Sequence, residues 1–552
     1  MTFDLRTETW LPFTRLSGAT EWGTPDLIVD AITTDPVVAL AAPRPDFDGA
    51  LAEFLIGLFA AAFCLDDEDQ WRARWRKPPS REELRAVLME LPAAFDLDGD
   101  GPRFLQDFAP GELAEAELAP VQEMLVEGKN DPLFIKPETL HQLGRPAAAM
   151  ALIAIQSYSP AGGRGYRTSL RGGGPLTTLV DPRPNGSAQP TDRSLWRFIW
   201  ANVPTIDELS GHVAGRNLSL PEATFPWLAP TRTSEGDHAT TVADANPLQC
   251  FFGMPRRMKL EFSDEPGRCD LTGRDDQHVV TGFRVKGYGV QYKGWQHPLT
   301  PYYAGKAPNE WLPIHGQPGG IGWRDWYPLL HTSATSTKMP ARMVANFNER
   351  RAERVDCFRY SLRVFGFDVT NAKVRSWIDA RLPAFVEPDP ERLDQVSALV
   401  ASLTDATELA AYTLQRVVID ALYGGSEGPP GDLSFIKAGL WDATESAFYD
   451  GVFRALDRSA VSDLALTMPE IRREFQKALL ARGEEIFDSH VSPDAGQPEQ
   501  LRRAVVARFD LVMTLTGNGK QGEKLFAALG LTSLKDRPSR ARAKRVKKEA
   551  TP

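Results

Sequence analysis

The sequence predicts an α+β protein: a large mixed N-terminal domain with a β-rich central part, followed by a C-terminal four-helix bundle. Three observations carry this. Beyond Pro388–Pro390, four long segments, roughly 390–423, 433–457, 468–489 and 498–516, repeat apolar residues at helical spacing. From Gln249 to Tyr292 the pattern turns to strand-like alternation. The 552 residues, 42% hydrophobic and 25% charged, suffice for more than one core. The expected divisions are 1–387 for the mixed domain, 388–534 for the bundle and 535–552 for a basic, disordered tail without a large apolar run.

Residues 1–14 read as a strand ending at Trp10-Leu11-Pro12. Asp48 to Leu65 reads as a helix with Asp48 as its N-cap. Its run Leu51–Leu65 contains Glu53 and is too short to span a bilayer, so it is expected to be a buried helix. Ser80–Leu91 is a second helix, opened by the capping box Ser80-Arg81-Glu82-Glu83. The acidic Asp96–Gly101 lacks the glutamate that would close a calcium loop and reads as a turn. Prolines on both sides make Pro132–Pro137 an extended loop. Arg145–Ser157 is an alanine-rich helix, and Ser194–Val203 is packed core. Alternation across Val279–Tyr292 puts Arg284, Lys286 and Tyr288 on one strand face. Met339–Arg354 reads as helical and Val355–Phe365 as helical in part; a turn over Gly366–Lys373 precedes a further helical piece, Val374–Leu382. In the bundle, Val396, Leu399, Val400 and Leu403, then Ile471, Phe475 and Leu479, then Leu501, Val505, Phe509 and Val512 fall at helical spacing.

A net charge of −10 excludes a globally basic nucleic-acid binder, so any polyanion must meet a local patch. Cys64, Cys250, Cys269 and Cys357 stand far apart, which argues against a cysteine zinc knuckle and fits a reducing cytoplasm. The first residues carry no secretory pattern. None of the eight histidines forms a metal or nucleophile motif, and no G-x-S-x-G elbow occurs. Asp275-Asp276 beside His278 lacks the ligand spacing of a metal site. No catalytic residue, cofactor or metal is expected.

The stretch 159–181, SPAGGRGYRTSLRGGGPLTTLVD, stands apart. Glycine admits positive φ and close approach of another molecule to the backbone. Arg164, Arg167 and Arg171 add forked donors suited to phosphate. Two readings stay open: a loop that meets a polyanion with backbone and side chains, or a solvated loop without a partner. The spacing is neither that of a P-loop nor of a dinucleotide-binding turn.

Gly165 through Thr178, G-x-x-x-S-L-R-G-G-x-P-x-T-T, resembles the signature region of CasA, the large subunit of type I-E CRISPR Cascade complexes. Trp10-Leu11-Pro12, Phe104-Leu105-Gln106, Phe252-Gly253-Met254-Pro255, Thr281-Gly282-Phe283 and Trp295-x-His297-Pro298-x-x-Pro301 resemble further landmarks of that family in the same order. The resemblance implies a non-catalytic subunit that recognises a protospacer-adjacent motif in double-stranded DNA, mainly from the minor groove. It implies a glycine loop, here Gly162, Gly163, Arg164 and Gly165, and a lysine finger, here Lys286 with Arg284 as the fallback. It implies a wedge at Thr370, Asn371 and Ala372, and a loop at Phe134, Ile135 and Lys136 that docks on crRNA and a neighbouring subunit. Arg171, Gly172 and Gly173 match the signature segment itself and read as structural. The implied partners are crRNA, the Cascade backbone and small subunits, target DNA and a separate helicase–nuclease, with no membrane. Unlike some members, this chain lacks paired cysteines, so no structural zinc is expected. Arg164 stands where the family commonly has glycine.

Two other classes compete: a stand-alone enzyme that cradles a phosphorylated substrate on the glycine–arginine loop, and a scaffold whose bundle only joins proteins.

Overall fold

The polypeptide enters through β1 (Leu11–Arg15), the centre of an antiparallel sheet with β2 (Thr20–Gly23) and β3 (Val37–Leu40) on its flanks. This computed structural model describes residues 2–108, 110–128, 139–163, 166–184, 188–210, 220–308, 310–332, 337–424, 431–458, 464–492 and 498–532. The expected docking loop at Phe134–Lys136, Arg164, Gly165 and the basic tail lie outside the described residues.

Helix α1 (Pro45–Phe63) runs through the core, with Phe47, Leu51, Phe54, Leu55 and Leu58 buried. It begins three residues before Asp48, because Pro45 sets the first helical φ. Asp48 therefore lies in the first turn and accepts the Ala42 N–H at 2.9 Å instead of capping. Burial pushes its carboxyl up from 3.8 to about 6 against that hydrogen bond and the nearby Arg363. A carboxyl with a raised folded value favours the fold below that value and costs stability as pH rises through it. Asp48→Asn retains an acceptor and is expected to stabilise the protein by ~1–3 kcal/mol at pH 7.5, with the gain fading below pH 4. Urea unfolding at both pH values checks this; equal midpoints at pH 7.5 would refute it.

Helix α2 (Arg81–Met89) carries the expected capping box, with Ser80 Oγ accepting from Glu83 N at 3.2 Å and Glu83 Oε2 from Ser80 N at 2.8 Å. The Asp96–Gly101 turn anchors the N-terminal segment, since Asp98 accepts the Phe3 N–H at 2.6 Å. A short α3 (Pro110–Ala114) and β4 (Leu118–Pro120) follow, then the almost wholly buried α4 (Arg145–Tyr158). Strand β5 (Thr177–Asp181) leads to α5 (Leu195–Ala201), whose Trp196 and Trp200 stack with centroids 4.8 Å apart. Strands β6 (Arg257–Phe262) and β7 (Val280–Lys286) pair antiparallel, with β4 on the other edge of β7. Next, β8 (Tyr302–Ala304) lies between β9 (Trp311–Pro313) and β10 (Lys338–Met339). Helix α6 (Arg342–Asn346) continues into a π-turn, Phe347–Arg351.

Of 355–365, expected to be helical in part, Val355 closes a 3-10 turn and Arg359 onward is strand; 374–382, expected to be helical, is strand throughout. β11 (Arg359–Thr370) and β12 (Lys373–Phe385) form one long antiparallel hairpin, with β5 against β11. Tyr360, Leu362, Val364 and Phe365 are buried, Tyr360 against Phe347, and Phe365 and Phe367 pack on Trp377 across the hairpin. β-Branched and aromatic residues gain more from that cross-strand contact than from one helix face.

The chain divides into two compact units, Met1–Ile321 with Pro328–Val386, and Gly322–Tyr327 with Glu387–Pro552. The second contains α7 (Pro390–Tyr423), α8 (Ser434–Leu456), α9 (Leu464–His490) and α10 (Pro498–Leu515), the four expected helices, plus a fifth, α11 (Gly519–Ala528). The distant Gly322–Tyr327 joins it: Trp323 stacks on Phe448 at 4.2 Å and donates its indole N–H to Trp441 O at 2.7 Å. Val396, Leu399, Leu403, Ile471, Phe475 and Leu479 are buried as expected. Leu501, Val505 and Phe509 are not, at 44%, 62% and 62% exposure. Ala504, Ala507, Leu511 and Leu515 form the packed face of α10 instead. Small alanines allow close approach to α7, so the smaller-residue stripe turns inward.

Candidate nucleic-acid interface

Helix α4 ends at Tyr158, and the glycine loop begins four residues later, at Gly162. Gly163 adopts φ +86° with open space where a side chain would be, a conformation that favours glycine. Gly162 accepts no larger residue easily, because a Cβ would come within 3.0 Å of both Arg256 Nη1 and Tyr166 Cβ. The loop closes on itself through Tyr166 N–H to Gly163 O at 3.0 Å. Arg256 braces it from below, donating to Pro160 O and lying 5.5 Å from the Tyr166 ring centroid. Burial pushes the Arg256 guanidinium down to about 10.

A cavity of about 40 Å³ lies between this loop and β7, lined by Gly162, Tyr166 and Arg256 on one side and Phe283 and Val285 on the other. The loop and the strand that bears Lys286 are thus neighbours. β7 ends at Lys286, opposite Arg257 in β6. Tyr288, expected on the same strand face, lies beyond the strand at φ +59° and is exposed. The chain turns away there because Gly289 packs on the Pro255 carbonyl, where an added Cβ would sit 1.8 Å from the oxygen.

Of the two basic candidates on β7, Arg284 is tied down by Glu261 at 2.7 Å and by the Ala116 carbonyl at 2.7 Å. Lys286 is 41% exposed and donates to Glu112 Oε2 at 3.0 Å. The same oxygen receives Arg257 Nη2 at 2.8 Å, and Arg257 also pairs with Asp107. Hydrogen bonds from Arg257 and Lys286 hold the Glu112 carboxyl at about 2. Glu112 is therefore a carboxylate fixed by a buried arginine, with Lys286 as its exposed partner.

The arginine of the signature segment is buried. Arg171, 4% exposed, donates to Glu53 Oε2 at 2.6 Å, Thr177 Oγ1 at 2.9 Å and Thr300 Oγ1 at 3.1 Å. Thr177 and Tyr158 hydroxyls donate to Glu53 Oε1 at 2.6 and 3.0 Å. Burial opposes the Arg171 charge, yet Glu53 raises its pKa overall. Gly172 and Gly173 serve packing: a Cβ on Gly172 would meet His315 at 2.9 Å, and one on Gly173 the Pro160 backbone at 2.6 Å. Gly174 lies against the Phe367 carbonyl, where a Cβ would come to 2.5 Å. The segment thus joins the base of the glycine loop at Pro160 to hairpin β11–β12.

That hairpin turns only through Thr370-Asn371-Ala372-Lys373, the end of the expected Gly366–Lys373 turn; Gly366–Val369 are paired strand. Asn371 and Ala372 both have positive φ, +52° and +61°, the two-residue loop that matches strand twist. Thr370, Asn371 and Lys373 are exposed. Arg375, in the bulge beneath the tip, pairs with Asp368 at 2.7 Å.

The other candidate clusters are structural. Asp276 binds Arg145 at 2.8 Å, and His278 Nδ1 lies 3.3 Å from Ser263 O. His297 is fully buried and accepts the Leu299 N–H at 3.2 Å. Among the described residues no three potential ligands converge on a metal position, and no single helix is long and apolar enough to cross a membrane. Glu112, Arg256 and Arg257 were not among the residues singled out from sequence. Their one signal was the pair Arg256-Arg257 directly after Phe252-Gly253-Met254-Pro255.

The family model for CRISPR-associated protein Cse1 matches residues 4–484. Among solved structures, Thermobifida fusca Cse1 is similar at 15% identity and a TM-score of 0.70, over 96% of this chain and 99% of that one. Cse1 from Acidimicrobium ferrooxidans is similar at 16% identity and a TM-score of 0.66, over 96% and 99%. A chain of a CRISPR RNA-guided surveillance complex is similar at 17% identity and a TM-score of 0.65, over 92% and 99%. With a family match over nearly its whole length and the same fold in these structures, the chain belongs to the CRISPR-associated protein Cse1 family.

Proposed function

We propose that this chain is the large, non-catalytic subunit of a crRNA-guided surveillance complex, where it reads the protospacer-adjacent motif of duplex DNA and starts R-loop formation. One observation carries the reading: a glycine loop lies beside the lysine-bearing strand, and the signature segment joins the base of that loop to an exposed two-residue hairpin. Gly162 and Gly163 offer backbone to a groove, Lys286 offers an ammonium to the degenerate minor-groove acceptors, and Thr370–Ala372 enters between base pairs. Opening the first step costs about a few kcal/mol, which the groove contacts offset. Guide pairing then reads the rest of the target. In this reading crRNA and the Cascade backbone and small subunits hold the chain in place, and a separate helicase–nuclease is recruited to cut.

The test is to assemble the complex with and without this chain and measure binding to duplexes that differ only in the adjacent motif. Motif discrimination that survives removal of the chain would overturn the proposal. Glu112 supplies a finer prediction. It competes with DNA for Lys286 and meets phosphates with negative charge once Lys286 leaves. Glu112→Gln is expected to tighten binding across the motif panel by roughly two- to five-fold, the scale of an exposed ion pair. Filter binding to a motif panel checks this; unchanged or weaker binding would exclude competition.

A further inference from the structure

A second concave site lies apart from the residues assigned to DNA. A cleft of about 540 Å³ opens between the 242–250 segment, the turn before Gln296, β9, β10 and α6. Val242, Met339 and the rings of Trp295 and Trp311 make its apolar walls. Trp295 is held firmly: it is 8% exposed, its indole N–H donates to Thr240 O at 2.9 Å, and Tyr292 meets its ring edge-on at 5.7 Å. Trp311 is half-buried, and its indole N–H has no partner among the described residues.

The polar lining groups are Gln296 and Arg342. Arg342 Nη1 donates to Glu208 O at 2.6 Å, while Nη2 reaches Gln296 Oε1 only at 3.5 Å. Arg171, Arg257 and Arg351 all face carboxylates, but Arg342 has no carboxylate partner among the described residues. A half-buried guanidinium without a counter-charge is unfavourable and attracts an anion. The volume suits a small ligand. Flat indoles suit a stacked base, and the guanidinium fork suits a phosphate.

We propose that this cleft binds a single nucleotide, with its base against Trp311 and Trp295, its base edge near Gln296 and its phosphate on Arg342. A free mononucleotide and a nucleotide turned out of a single strand share this chemistry. The site does not depend on the motif-reading assignment.

Titrating the full chain with AMP and with UMP, followed by tryptophan fluorescence and calorimetry, should show saturable binding. Adenosine and ribose 5-phosphate should each bind about ten-fold more weakly or worse, since each lacks one half of the contact. Trp311→Ala and Arg342→Gln should each weaken binding by about ten-fold. Arg342 also holds the Glu208 carbonyl, so Trp311→Ala keeps the test decisive if Arg342→Gln fails to fold. A single-stranded tetranucleotide that displaces the mononucleotide, or that binds where no mononucleotide does, identifies a strand as the source. Failure to displace a bound mononucleotide identifies the free nucleotide. No saturation by either at millimolar concentration, or affinity unchanged in Trp311→Ala, overturns the proposal.

Discussion

Arg171→Met is expected to destabilise the first unit by about 3–5 kcal/mol, the cost of removing one partner from a buried ion pair. Arg171 and Glu53 are both almost wholly buried, and Glu53 also accepts from Tyr158 and Thr177. Removing the guanidinium strands that carboxylate among apolar side chains of α1, where it must find a proton or admit water. The same network fastens the signature segment to α1, so the loss should reach the loop at Pro160 and the hairpin near its tip at Phe367. Urea unfolding followed by tryptophan fluorescence reads the change. The double variant Glu53→Gln/Arg171→Met should be less destabilised than the two single losses combined, because each change removes the other's stranded charge. A loss under about 1 kcal/mol for Arg171→Met would show that the pair contributes little. A side chain this buried cannot reach phosphate, so any change in DNA binding by the folded variant acts through the loop and hairpin that the network positions.

Lys286→Ala, in the assembled complex, is expected to lower affinity for the preferred motif by about ten-fold or more and for other motifs much less, as a groove contact worth ~1–3 kcal/mol would. Arg284→Gln should change discrimination little, because Glu261 and the Ala116 carbonyl already occupy its guanidinium. Binding to a motif panel at fixed salt separates the two. A uniform loss across all motifs for Lys286→Ala would make it a phosphate contact and not a reader. In the Glu112→Gln background the lysine should contribute at least as much, since its competitor is gone.

Long-range pattern made much of this legible. The bundle helices lie at the expected places because their amphipathic period runs for many turns between glycine and proline breaks. The capping box at Ser80 and the turn at Asn371 were equally clear, since both rest on local backbone chemistry. Short apolar runs were not. Val355–Phe365 and Val374–Leu382 fit a helix as well as a strand by periodicity, and only the pairing of each with the other selected the hairpin. Helix α10 shows a related limit. It carries two apolar stripes, and its neighbours decided that Ala504, Ala507 and Leu511 turn inward while Leu501, Val505 and Phe509 face out.

By itself, then, the sequence determined the α+β class, the C-terminal helices and the family, because ordered motifs and helical periods are written along the chain. Tertiary structure alone decided what the charged residues do. Arg171 left the polyanion surface for a buried bond to Glu53, 118 positions away in the chain. Lys286 met Glu112, separated from it by 174 positions, and Arg342 came to rest beside two tryptophans without a carboxylate partner among the described residues. A charge's role depends on which carboxylate, water or ligand lies within a few ångströms of it, and sequence spacing does not carry that distance.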